Sequence, residues 1–154
     1  MRIINRLLMT QLPITDKEIV ENLIPQKTPF VMVSELLQFN ETSLQSGFLV
    51  EENQIFTYDG FFQASGVLEH QAQSVALHTG YQFYLKNEQP PVGFIGAIKS
   101  FQIHFLPKIG DKIETKINIL EEMMGVTLVK TESKIGGKLL ATSEMKTVKK
   151  KKKI

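Results

Sequence analysis

"GVLEHQAQSVALHTG" (residues 66–80) is the stretch whose reading decides the fold. Placed at about 100° per residue, Glu69, Ala72, Gln73, Ala76 and Gly80 fall within one stripe, with Ser65 beside it. Leu68 and Val75 occupy a separate apolar side, enough to anchor a helix on a sheet. Ser65 can cap a helix that begins at Gly66, and the pattern predicts a helix over about residues 66–84. The stripe is polar at its N-terminal end and otherwise made of very small side chains. Such a surface admits close approach by a neighbouring element or by a slim ligand.

The polar residues of this helix divide by face. His70 lies about 100° round from Glu69 and His78 almost opposite it, so neither shares a face with Glu69 as a helical metal site requires. No metal or other cofactor is expected. His70 and His78 read as partly exposed or hydrogen-bonded helix residues, and His104, on the polar alternation of "FQIHF", as a solvent-side residue. Glu69 has two readings. A carboxylate near a helix N-terminus is either dipole-stabilised surface or a buried acid with a perturbed pKa.

Outward from the helix, Thr15 and Glu18 have capping-box spacing, with Ile14 and Ile19 as a hydrophobic staple, which predicts a short helix to about Leu23. "IPQKTPF" (24–30) breaks it. "FVMVSELLQF" and "TSLQSGFLVE" predict a strand pair turning near Asn40–Glu41. "ENQIFTYDGFFQAS" (52–65) has no clean period and reads as an ordered, aromatic-rich loop. After the turn "KNEQPP" the chain is strand-like to "KLLATSEMKTV", with hairpin or turn signals at Gly136–Gly137 and from Pro107 to Asp111. One long central helix against a largely antiparallel sheet is an α+β layout.

Composition bounds the function. The 154 residues fit one domain, expected over 1–148. With no cysteine, thiolate chemistry and zinc–sulfur sites are excluded. The N-terminal apolar run is too short for a secretory signal, and no stretch approaches the roughly 20 apolar residues of a membrane span, so a cytoplasmic protein is expected. The formal charge of +2 is owed to five lysines at 149–153, without which 13 basic residues face 16 acidic ones. Residues 149–154 are expected to be a disordered tail, and the mildly acidic body has no basic stripe for nucleic acid.

With these residues in place, "GVLEHQAQ" resembles the central-helix signature of the 3-hydroxyacyl-acyl carrier protein dehydratases of the hotdog superfamily. "IPQKTPFVMVSEL" is similar to that family's N-terminal Leu-Pro-His-Arg-x-Pro segment. "GFIGAIKSFQIHFLPKIGD" is similar to its apolar-Gly-apolar strand and Pro…Gly-Asp turn. The resemblance covers roughly residues 22–148 in order. It implies a helix wrapped by a curved antiparallel sheet, paired into a homodimer or a heterodimer with a related dehydratase. It also implies a substrate held as an acyl carrier protein or coenzyme A thioester.

Removing water from a 3-hydroxyacyl thioester needs a base for the C2 proton and an acid for the departing hydroxide. In the family a loop histidine and a helix carboxylate divide these roles, and Glu69 matches the carboxylate. The resemblance implies substrate contacts from Gln73, Ala72, Phe56 and Gly96, and from the N–H groups near Gly66 and Val67. The loop histidine is missing: its place falls near Ile55, and only Tyr58 and Asp59 are titratable there. The pattern is similar to a divergent dehydratase branch found with polyene-pigment synthesis, some members of which work beside a catalytic subunit. Three functions remain open: a dehydratase-like enzyme of fatty-acid or polyene synthesis using Glu69, a non-catalytic hotdog subunit, and an acyl thioesterase.

Overall fold

The computed structural model of the chain describes residues 11–91 and 93–149. Among these the helices are α1 (Lys17–Glu21) and α2 (Ala64–Leu85). The strands are β1 (Glu35–Asn40), β2 (Ser43–Leu49), β3 (Thr57–Tyr58), β4 (Phe61–Phe62), β5 (Gly93–Ile103), β6 (Lys112–Met123), β7 (Val126–Ile135) and β8 (Lys138–Lys149). Six of them form one antiparallel sheet in the order β1-β2-β6-β7-β8-β5, with α2 packed across it. The expected α+β layout is the observed one.

The face that α2 turns to the sheet is not the apolar one that its sequence advertises. Val67, His70, Gln71, Ser74, His78 and Tyr81 are buried, and four of these are polar. Opposite them, Ser46, Thr115 and Ser133 are neighbours in register across β2, β6 and β7. Hydroxyl and amide groups close the gap. Gln71 Nε2 donates to Ser133 Oγ at 2.9 Å, and the Ser133 and Thr115 hydroxyls lie 2.6 Å apart. Thr115 Oγ1 is 2.8 Å from His70 Nε2, and Ser46 Oγ is 2.7 Å from Ser74 Oγ. His70 Nδ1 faces the Met32 carbonyl at 2.6 Å and must carry the proton, so Nε2 accepts from Thr115. The chain of donors therefore runs one way, from Gln71 through Ser133 and Thr115 to His70. Buried polar groups cost about 1–3 kcal/mol each when unpaired, so this arrangement holds the helix in one rotation.

Apolar clusters flank the polar seam. Phe48, Phe62, Val67, Ile113 and Leu140 pack at one end of α2. Val75, Leu77, Tyr81, Ile117, Val129 and Met145 pack at the other, where α1 and residues 23–24 join them. Leu68, expected among the sheet anchors, is only half-buried, while Val75 is buried.

The structure corrects several local expectations. Asp16, not Thr15, caps α1, accepting from the N–H groups of Glu18 at 2.9 Å and Ile19 at 3.4 Å. Ile14 exchanges two backbone bonds with Leu36 and holds Thr15 outside the helix, which ends at Glu21 and not near Leu23. α2 starts at Ala64 with Gln63 at the N-cap, so Ser65 lies in its first turn. Gln63 N–H donates to Phe56 O and its side chain to the Phe61 carbonyl, fixing the entry from the preceding hairpin. Residues 52–65 contain that hairpin, β3–β4, turned by Asp59 (φ 50°) and Gly60 (φ 83°). Positive φ at both turn positions is what an Asp-Gly pair supplies. Of the two readings of His70 and His78 the hydrogen-bonded one holds, with both rings buried, and His104 is exposed as expected. The expected tail begins inside the fold, because Lys149 is the last residue of β8, and residues 150–154 lie outside those described.

Burial lowers the His70 pKa from 6.5 to about 4, against a smaller opposing effect of the Met32 carbonyl. Above pH 6.5 the imidazole is neutral whether the chain is folded or not. Between pH 6.5 and 4 the unfolded chain binds a proton that the folded one refuses, so stability falls as pH drops through that window. Burial lowers His78 as well, adding in the same sense. Denaturant titrations should show wild type losing about 3 kcal/mol more than His70→Gln between these limits. Equal pH slopes would contradict the neutral, buried assignment.

Candidate functional site

The face of α2 turned away from the seam borders a cavity of about 540 Å³. Glu69, Ala72, Ala76 and Gly80 line its helical wall, which is the small-residue stripe of the sequence. Residues 22–26 form a second wall, and Pro90–Pro91 with the facing ends of β5 and β8 form the rest. The 22–26 wall approaches closely because residue 80 is glycine: a Cβ there would sit 1.8 Å from the Leu23 carbonyl oxygen. The Lys27 ammonium ties this segment down by donating to the Glu21 and Ile24 carbonyls, at 2.9 and 3.1 Å.

Glu69 is half-buried at the N-terminal end of the cavity. Its Oε1 accepts from Gln73 Nε2 at 2.9 Å. Gln73 is fully buried and fully engaged. The same Nε2 donates to the Phe30 carbonyl at 2.8 Å, while Oε1 accepts from the Met32 N–H at 2.6 Å. Together with His70, Gln73 thus does for residues 30–32 what a neighbouring strand would do. This is why the expected strand "FVMVSELLQF" begins only at Glu35. Gln73 is not in the cavity lining and acts on Glu69, whose carboxylate it orients.

The other residues singled out in the sequence separate into groups. Ala72 lines the cavity with Glu69. Phe56, Gly66 and Val67 meet in the apolar cluster at the start of α2, where a Cβ on Gly66 would lie 2.6 Å from Phe56 and 2.7 Å from Phe62. The N–H groups of Gly66 and Val67 both donate to the Gln63 carbonyl, at 2.9 and 3.1 Å. Gly96 sits on β5 against Val148. Tyr58, 75% exposed, and Asp59 stand at the tip of the β3–β4 hairpin, and neither lines the cavity.

No histidine lines the cavity. His70 is neutral and committed to the seam, and His78 donates from Nε2 to the Asn40 carbonyl at 2.9 Å while stacking on Phe39. Among the described residues no group of three or more His, Cys, Asp or Glu could hold a metal ion, and no helix is long and apolar enough to cross a membrane. Lys149, which sequence reading assigned to a tail, lines the cavity at its other end. The signal available was the strand alternation, which continues through Val148 into the lysine run.

A long helix seated on a six-stranded antiparallel sheet, with a ligand-sized cavity along the helix, defines a hotdog protein. Residues 18–153 match the ApeP-like family, described as ApeP dehydratase, and the chain belongs to that family. An uncharacterized thioester dehydrase of Halalkalibacterium halodurans is 30% identical over 108 residues, 66% of this chain and 67% of the relative. Among solved structures, the dehydratase heterocomplex ApeI:P from Xenorhabdus doucetiae superimposes with a TM-score of 0.80 at 16% identity, covering 92% of this chain and 93% of that one. A hypothetical thioesterase from Streptococcus pneumoniae, solved with coenzyme A, gives 0.62 at 10% identity over 77% and 87%. At these identities the structural likeness is one of fold.

Two substitutions probe the walls. Gln73→Leu strands the buried Met32 N–H and the Phe30 carbonyl, and should cost about 2–4 kcal/mol in chemical denaturation. Gly80→Ala drives a Cβ into backbone and should cost about 3 kcal/mol. A loss below about 0.5 kcal/mol in either, the ordinary surface value, would contradict the contacts described.

Proposed function

We propose that this chain is a subunit of a 3-hydroxyacyl thioester dehydratase that holds the acyl chain in the cavity along α2 and presents Glu69 to the reacting carbons. Its substrates are chains carried by acyl carrier protein or coenzyme A, in fatty-acid or polyene assembly in the cytoplasm. The observation that carries this reading is Glu69 itself: a carboxylate lining the cavity along α2, oriented by a glutamine that is locked on its other sides.

As a carboxylate, Glu69 takes the C2 proton, and the departing hydroxide then needs a proton donor of its own. Among the described residues no second titratable side chain stands beside Glu69 in the cavity lining, where Lys149 lies at the opposite end. In this reading a partner subunit supplies the second group. The edge strand β5 is suited to receive a partner. Among the described residues it pairs only with β8, and Ile95 and Ile98, on the same face as the buried Met145, remain 37% and 45% exposed. Open edges and uncovered apolar side chains favour association, either with a second copy or with a related dehydratase.

The test is to incubate a 3-hydroxyacyl-carrier thioester with the purified chain, alone and with candidate partner dehydratases, following enoyl product and free thiol. One positioned acid or base contributes about two to four powers of ten in rate, so the chain alone should be slow by that factor and the paired protein fast. Glu69→Gln preserves volume and should remove the same factor from the paired activity. Unchanged turnover in that variant would take Glu69 out of the mechanism, and free thiol without enoyl product would assign the chain as a thioesterase.

A further inference from the structure

The cavity has an end remote from Glu69, where Lys149 lies with Thr79, Pro90, Pro91 and Gly93. In the register of the sheet Gly93 faces Lys149 and Ile95 faces Thr147, and these residues line the cavity with Thr79 and Gly80. Glu69 lies about three turns back along α2. The Lys149 backbone is pinned at the β6–β7 turn, where its N–H donates to the Gly125 carbonyl at 3.0 Å. Its Nζ donates to Glu122 Oε1 at 2.7 Å and sits 5.9 Å over the Phe83 ring. The side chain is 26% exposed. Lysine commonly takes this posture, with its methylene stem laid along apolar surface and its charged head turned to water.

We propose that Lys149 is the chain-length stop of this cavity, its stem closing the end remote from Glu69 and its head latched by Glu122 and Phe83. This rests on the acyl-binding reading above and adds a limit to it. The eleven residue steps from Glu69 to Gly80 span about 16 Å of helix, which about twelve extended carbons beyond the reacting pair fill. Beyond that length a chain meets the lysine stem. An exposed ion pair adds little to stability, so Glu122 directs the stem more than it strengthens the fold. The stop is therefore steric and belongs to the methylenes, not to the charge.

Binding of acyl-coenzyme A thioesters from about four to about twenty carbons, measured by calorimetry on the full chain, tests this, since affinity rises with each buried methylene. Wild type should gain affinity up to about fifteen carbons and then lose it. Lys149→Ala should move that limit up by about three carbons, and Lys149→Met, which keeps the stem without the charge, should leave it in place. Ala76→Leu, which narrows the middle of the cavity, should shorten the limit in every background. If Ala76→Leu shortens it but Lys149→Ala leaves it unmoved, the stop is overturned and the acyl cavity stands. If no thioester binds, or Ala76→Leu changes nothing, the acyl-binding reading fails and the stop with it. A limit that moves equally in Lys149→Met would assign the effect to charge and overturn the steric account.

Discussion

His70 reaches in two directions from one turn of α2, with Nδ1–H on the Met32 carbonyl and Nε2 on the Thr115 hydroxyl, and both bonds are fully buried. An apolar contact would let the helix slide or roll by several degrees at little cost. A directed chain of donors does not, because each donor is aimed at a fixed acceptor and losing one is expensive. Rotation about the helix axis is therefore set by His70, Gln71 and Ser74 against Thr115, Ser133 and Ser46. Glu69 is the residue before His70, so fixing one fixes the other. The polar seam points inward, and the small-residue stripe is left facing the cavity.

The same turn of helix explains the segment at 30–32. Its backbone has no strand neighbour, and three of its polar groups are met instead by His70 and Gln73. The fold of this segment and the aim of the carboxylate share one glutamine. That economy ties site to scaffold: a change that frees Glu69 from Gln73 also frees the segment that bounds one side of α2.

Much of this was legible in the sequence, and the rest was hidden for physical reasons. The long helix, the Gly136–Gly137 hairpin and the Glu69–Ala72–Ala76–Gly80 stripe follow from periodicity and turn chemistry. Which face of α2 meets the sheet does not follow, because the rule that apolar faces point inward fails where the sheet presents hydroxyls of its own. Ser46, Thr115 and Ser133 lie far apart in sequence and meet only through strand register. The caps were missed for a related reason. Ser65 and Thr15 are sound capping residues, but the chain direction at each site is set by distant backbone bonds, from Phe56 and Leu36. Lys149 looked like solvent because it opens a lysine run, although the strand had not ended. The identity of Glu69 as the distinctive polar residue was readable. That Gln73 orients it and does not line the cavity required the three-dimensional contacts.

The central claim of the proposed function is that the acyl chain lies along α2 with its reacting C2 and C3 carbons beside Glu69. The most direct measurement is a structure of the chain, with its partner where one is needed, bound to an unreactive 3-hydroxyacyl amide analogue of the carrier thioester. The account predicts the acyl carbons against Ala72 and Ala76, with the 3-hydroxyl or the C2 position within about 3.2 Å of the Glu69 carboxylate, directly or through one water. An analogue bound elsewhere, with the cavity along α2 empty and Glu69 facing solvent, would contradict it.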